Sequence, residues 1–208
     1  MKNIRREAAI FLQLGAFAII WVVVLLISGV EFRINWEALK RFPEVFTIYS
    51  ALHLSFTAWA WRLSFFQGWL VPLPDLQGSW AGAAQSTWVD PENGQRRPPF
   101  PVLLVIRQSF TSVSCVLYSE ESSSFSTAAQ ITGEEDGFPA RLSFTYSNRP
   151  KAAVRERSQM HDGAAILRIV TGTSRVLEGE YWTDRKTTGD LQVLFRSKVL
   201  SNHFDYKA

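Results

Sequence analysis

Cysteine is nearly absent: the 208 residues hold one, Cys115. An intramolecular disulfide is therefore excluded, and a chain without bridges is more at home in the cytosol than outside the cell. Cys115 lies in the apolar run Val113–Leu117, where a free cysteine packs as a small hydrophobe. Histidine is scarce too. His53, His161 and His203 are far apart, and no His/Cys/Asp cluster has metal-ligand spacing. The sequence holds no Gly-x-Ser-x-Gly, no P-loop and no dinucleotide fingerprint. His161-Asp162 is a conceivable hydrolytic base, but loop hydrogen bonding or a ligand contact suits it better. The reading is a protein that is not an enzyme, with no metal and no cofactor.

Excess charge is missing from the larger part of the chain. Residues 72–208 carry fifteen Lys/Arg and fifteen Asp/Glu, whereas residues 1–71 carry seven and four. The basic isoelectric point comes from the N-terminal part. A surface that coats DNA or RNA needs excess positive charge, so residues 72–208 are not read as binding a nucleic-acid polymer. One small anionic ligand needs only a few local charges.

Charge is wholly absent from Ala8 to Val30, a 23-residue run long enough to span a bilayer core of roughly 30 Å. No small-x-small cleavage site follows it, so it reads as a retained transmembrane helix and not as a signal peptide. A weaker segment runs from Val45 to Trp61 and could continue past Arg62 to Val71. Trp59, Trp61 and Trp69 fit an interfacial aromatic belt, and Arg62 could snorkel. Two spans joined by the loop 31–44 make a membrane helical hairpin with both ends on one side. Lys2, Arg5 and Arg6 precede the first span, and Arg33, Lys40 and Arg41 lie in the loop, so the positive-inside rule is nearly balanced. The compact tail charges and the lack of disulfides favour N-terminus in and C-terminus in. His53, inside the second span, is either a helix–helix or oligomer contact or part of a proton path, the former preferred.

Long helical patterns are missing after Gly78. Period-two alternation and regular turn signals take over. Eight strands are expected, at 78–89, 100–109, 112–119, 123–132, 140–147, 164–171, 175–183 and 190–199. The expected fold is thus a two-helix transmembrane region over 1–71 and an all-β domain over 72–208. That domain would be an eight-stranded up-and-down antiparallel β-barrel, lipocalin-like but minimal. In lipocalin-type barrels a Gly-x-Trp tryptophan plugs the closed end beneath an arginine of the last strand. Trp80 and Arg196 are placed for those roles.

In a meander the turns alternate between the two ends. Gly78, Trp80 and the short turns 109–112, 133–139 and 171–174 share one end, which should face the membrane. The longer connections near 90–99, 119–123, 148–163 and 184–189 share the other, the expected mouth. Polar residues crowd there: Ser122, Ser123, Ser124, Ser126, Tyr146, Asn148, Arg149, Thr183 and Arg185. Arginine forks onto phosphate oxygens, hydroxyls add neutral hydrogen bonds, and Tyr146, Tyr181 and Trp182 offer faces for a base.

Two apolar segments followed at once by LPDLQGSWAG, then IRQSFTSVSCVLYSEESSSFSTAAQI, LSFTYSNRP, MHDGAAILRI and LEGEYWTDRKTTGDLQVLFR, resemble the two-transmembrane, β-strand-rich effectors of CBASS, the bacterial antiphage system that signals with cyclic oligonucleotides. The resemblance covers nearly the whole chain. It implies an effector of the bacterial inner membrane whose barrel binds a cyclic dinucleotide made by a cognate nucleotidyltransferase (a CD-NTase). It further implies homo-oligomerisation on activation, attack on the lipid bilayer and abortive infection. Tyr146, Asn148 and Arg149 fall in the YSNRP run and Thr183 and Arg185 in the YWTDR run. With Ser124 and Ser126 they are the expected ligand-binding residues. The rival readings are a membrane-anchored carrier of an apolar ligand, a barrel that docks a protein, and an enzyme acting on lipid.

Overall fold

The computed structural model describes residues 6–33, 35–91, 93–133, 139–170 and 175–205, with side chains from residue 10 onward. Lys2, Arg5, the Arg6 side chain and most of the turns 133–139 and 171–174 lie outside the described residues. The chain divides into two compact units, Met1–Pro74 and Asp75–Ala208.

The first unit is helical: α1 (Arg6–Ile27), α2 (Trp36–Lys40) and α3 (Phe42–Ala58). Within α1, Ile10–Ile27 has a mean hydropathy of 2.8 and is almost unburied, as suits a helix whose solvent is lipid. Among the described residues it is the one helix long and apolar enough to cross a membrane. The helix of the expected second span is shorter than α1. At 17 residues α3 rises roughly 25 Å, below the roughly 30 Å of a bilayer core. Its continuation towards Val71 is not helical. Trp59 leaves the helix at φ −149°, and two 3₁₀ turns follow at Ala60–Arg62 and Ser64–Phe66.

The expected loop 31–44 contains α2, because the Asn35 side chain accepts the Ala38 N–H at 2.8 Å and caps it. Pro43 then sits in the first turn of α3, where its missing N–H costs nothing. Helices α1 and α3 pack through Phe17, whose ring lies 5.8 Å from Tyr49 and 5.5 Å from Phe42. His53 is exposed and stacks on Tyr49 of its own helix.

The second unit is the expected meander closed on itself. Strands β1 (Gly78–Ser86), β2 (Phe100–Gln108), β3 (Val113–Ser119), β4 (Ser122–Thr132), β5 (Arg141–Pro150), β6 (His161–Val170), β7 (Val176–Thr183) and β8 (Thr188–Ser197) pair in chain order, and β8 returns to β1. Closure removes the unpaired strand edges. Two boundaries move in a way that matters: β5 runs on to Pro150 and β6 starts at His161, with Asn148 paired to His161. The β3–β4 seam is the shortest, at three residue pairs from Val116 to Tyr118.

Alternation fixes which side chains enter the barrel. At the closed end Trp80, Leu104, Ile106, Leu142, Phe144, Leu167, Leu177 and Val193 are buried and fill the interior. Trp80 donates its indole N–H to the Leu76 carbonyl at 2.9 Å, and Gln108 accepts the Leu76 N–H at 2.7 Å, so the chain entering β1 is sealed against the base. The arginine over the tryptophan is Arg175, 5.2 Å from the indole and 4.4 Å from the Phe195 ring. It replaces the expected Arg196, which instead donates to the Asp205 carbonyl. The physical reason is alternation: Phe195 takes the inward position of β8 beside Trp80, and its neighbour Arg196 must face out.

Cys115 also faces inward, and burial pushes its thiol up to about 12. The thiolate is the reactive form. At pH 8 the folded barrel should therefore give no reaction with Ellman's reagent while urea-denatured protein reacts fully. Rapid labelling of the native chain would show that this wall is not packed.

Candidate functional site

The open end is built from the β1–β2 loop (87–99), the β3–β4 turn (120–121), the β5–β6 loop (151–160) and the β7–β8 turn (184–187). Below these loops the inward positions change from aliphatic to polar. From β3 and β4 come Ser119, Ser122 and Ser124; from β5, Tyr146 and Asn148; from β6, His161; from β7, Tyr181 and Thr183; from β1, Ser86. Among the described strand residues no Lys, Arg, Asp or Glu occupies an inward position.

Asn148 is the centre of a connected row. Its amide nitrogen donates to the Ser124 hydroxyl at 2.8 Å and the Ser122 hydroxyl at 3.0 Å, and the Ser119 and Ser122 hydroxyls lie 3.1 Å apart. Asn148 is 7% exposed, and its side-chain oxygen has no partner. Whichever way the amide is turned, one of its ends is left unsatisfied, because the serines engage only the other. A buried polar group without a partner costs stability, so this oxygen is a group that a ligand or a water would satisfy.

Two tyrosines face the same space, each lying across a glycine of the next strand. A Cβ on Gly163 would stand 2.6 Å from the Tyr146 phenol, and one on Gly189 would stand 2.6 Å from the Tyr181 phenol. These glycines pair directly with those tyrosines, and only a missing side chain lets the rings lie flat on the wall. Burial pushes the Tyr146 phenol up, with Tyr181 and Asp184 adding to the shift. Burial also raises Tyr181, against a hydrogen bond with Ser86 and the charge of Arg97. Both phenols are neutral near pH 7 and able to donate.

The other expected site residues are placed differently. The Ser126 hydroxyl accepts the Cys115 N–H at 2.9 Å, standing in for a backbone partner where β4 bulges. The Thr183 hydroxyl accepts the Thr187 N–H at 3.3 Å and so ties the β7–β8 turn. Arg149 points out of the barrel, its guanidinium 5.9 Å from the Phe125 ring. Arg185 is exposed on the β7–β8 turn and donates to the Gln159 carbonyl at 3.5 Å. Ser124, Tyr146 and Asn148 are thus brought together, while the two expected phosphate-binding arginines are not among them. Trp182 faces outward as well.

Outside the barrel, a groove of about 750 Å³ crosses β5 to β8, lined by Arg141, Ile166, Arg168, Glu178, Trp182 and Gln192. Arg168 is paired with Glu178, and Glu180 and Asp190 leave carboxylates in excess over arginines. That balance repels an anion, so the groove is a poorer home for a phosphate-bearing ligand than the mouth. Among the described residues no cluster of His, Cys, Asp and Glu could hold a metal ion.

CD-NTase-associated protein 15 of Staphylococcus schleiferi is 28% identical over 182 residues, which cover 86% of this chain and 91% of that protein. A family model described as Cap15, cyclic dinucleotide receptor domain, matches residues 71–194. The match enters before β1, ends within β8 and takes in every element of the mouth, and on that extent the chain belongs to the Cap15 cyclic dinucleotide receptor domain family.

Proposed function

We propose that this protein is a membrane-anchored CBASS effector whose mouth binds a cyclic dinucleotide from a cognate CD-NTase. The observation that carries the reading is the unpartnered side-chain oxygen of Asn148, buried on the same inward wall as Ser122, Ser124 and Tyr146, in a chain of the Cap15 receptor family. An amide end pairs with a nucleobase edge, and phenol rings supply stacking faces worth about 1–3 kcal/mol per base. Ser124, Tyr146 and Asn148 are the core of the site. Ser126 and Thr183 hold its frame, and Arg149 and Arg185 act from outside it.

Binding is coupled to the membrane by linkage. A ligand that prefers an assembled state shifts the population towards it, and making a rare state dominant needs on the order of 5 kcal/mol of preference. Helix α1 anchors the protein in the inner membrane, α3 completes a short hairpin, and both termini are cytoplasmic. Assembly of these helices disrupts the bilayer and ends the infected cell. The polar mouth argues against the carrier of apolar ligands.

Thermal melting of the full chain in detergent, with cyclic dinucleotides, cyclic trinucleotides, linear dinucleotides and a fatty acid, tests the receptor reading. Ligand at a hundredfold its Kd stabilises by about 2.7 kcal/mol, a readily seen rise in Tm. A rise with one cyclic dinucleotide supports the reading and identifies the signal. A rise with fatty acid alone, or with nothing, overturns it.

A further inference from the structure

A cyclic dinucleotide carries two phosphodiester charges, and the inward wall offers no described cation to meet them. The charge must come from the rim. There, one carboxylate ties three of the mouth's loops together. Glu121, on the β3–β4 turn, takes Arg97 of the β1–β2 loop at 3.1 Å and Arg157 of the β5–β6 loop at 2.5 Å. Its backbone carbonyl accepts the Lys151 N–H at 2.8 Å, which anchors the start of the β5–β6 loop.

Arg97 is close to the mouth interior. Its guanidinium lies 4.5 Å from the ring of Phe100, an inward residue of β2, and its charge reaches the Tyr181 phenol. The Gln85 side chain holds its backbone carbonyl at 2.7 Å. Partial burial pushes the Glu121 carboxyl up, but the hydrogen bond from Arg157 and the charge of Arg97 outweigh this and hold it below its usual value.

We propose that Arg97 and Arg157 are the phosphate-binding pair of the mouth, and that Glu121 is a built-in anion occupying them until the ligand displaces it. The proposal rests on the mouth being the cyclic-dinucleotide site. A carboxylate and a phosphodiester present two oxygens to a guanidinium in similar geometry, so the exchange keeps each arginine partnered. Glu121 has 27% of its side chain exposed and can turn to water when released. Displacement also releases Arg97 and Arg157 from a common carboxylate while the Glu121 carbonyl keeps its bond to Lys151, so ligand entry re-aims the two arginines as well as filling the rim. The tie itself is weak at this exposure, as a displaceable contact must be.

The test measures binding of a panel of cyclic dinucleotides by titration calorimetry on the full chain in detergent, for the native protein and for Glu121→Gln, Arg97→Ala and Arg157→Ala. Far-UV circular dichroism checks the fold of each, with Arg97→Gln and Arg157→Gln as gentler substitutes. Glu121→Gln should bind about tenfold tighter. Each arginine variant should bind at least about tenfold weaker, the scale of one charge-assisted hydrogen bond. The affinity of the arginine variants should also fall less steeply with salt. Native binding with unchanged arginine variants, or weaker binding by Glu121→Gln, overturns the displacement proposal and leaves the mouth reading intact. No binding of any cyclic dinucleotide by the native chain overturns both.

Discussion

Trp80→Ala should lower the stability of the barrel by about 3–5 kcal/mol, the usual cost of emptying a buried aromatic site. Domains of this size hold only about 5–15 kcal/mol in total, so the variant would be close to unfolding at 37 °C. The size of the effect follows from what Trp80 does. It is 1% exposed, meets Phe195 edge-on at 5.3 Å, carries Arg175 on its face and ties Leu76 to the barrel floor. Trp80→Phe separates these contributions. It keeps most of the apolar area but strands the Leu76 carbonyl, at a cost of about 1–3 kcal/mol. Arg175→Ala should cost about 0.5–1 kcal/mol, the scale of an exposed cation–π contact. Urea unfolding of the full chain in detergent, followed by far-UV circular dichroism, gives all three values. A loss below about 1 kcal/mol for Trp80→Ala would show that the closed end repacks without its plug.

Asn148→Leu should act chiefly on function: abolish ligand binding, at a cost in stability of about 1–3 kcal/mol from the stranded Ser124 hydroxyl. The substitution is close in shape; it removes an oxygen that has no partner and a nitrogen that donates to Ser122 and Ser124, so the loss is that of one short serine row and not of the core. The ligand loses the group that reads its edge, and a site built to hydrogen-bond rejects what it cannot pair with by about 10²-fold or more. Calorimetry and thermal melting on the same sample decide the matter. A variant that binds normally but melts far below the native protein would make Asn148 a structural residue and remove the basis of the site.

Much of the barrel was legible in the sequence because period-two alternation is a strong signal when one face is aliphatic. The stretches around Val102–Ile106 and Leu177–Thr183 read as strands for that reason. The signal fails where the inward residues are themselves polar. Asn148-Arg149-Pro150 and His161-Asp162-Gly163 look like turn residues, yet they lie in strands, with Asn148 opposite His161. Extending the strands by these few residues fixes Asn148 as inward and Arg149 as outward. It separates two neighbours that a loop would have kept together. Gly163 and Gly189 are a subtler signal: a glycine inside a strand leaves room for a large neighbour, here Tyr146 and Tyr181. The Arg97–Glu121–Arg157 tie joins residues from three loops, and no local pattern in the sequence reveals it. In the helical unit the length of the apolar run identified α1. The end of the second apolar segment is harder to read, because apolar content persists beyond Ala58 while the α-helix gives way there to 3₁₀ turns.

The short β3–β4 seam has a mechanical meaning. A closed hoop is only as stiff as its weakest joint, and here three residue pairs and the Ser126 side chain do the joining. The Ser122–Ser124–Asn148 row lies beside that joint, on β4 and β5. A ligand seated against the row would act as a splint beside the seam with the fewest residue pairs. Binding there would therefore do more than occupy space: it would stiffen the ring at the joint with the fewest residue pairs.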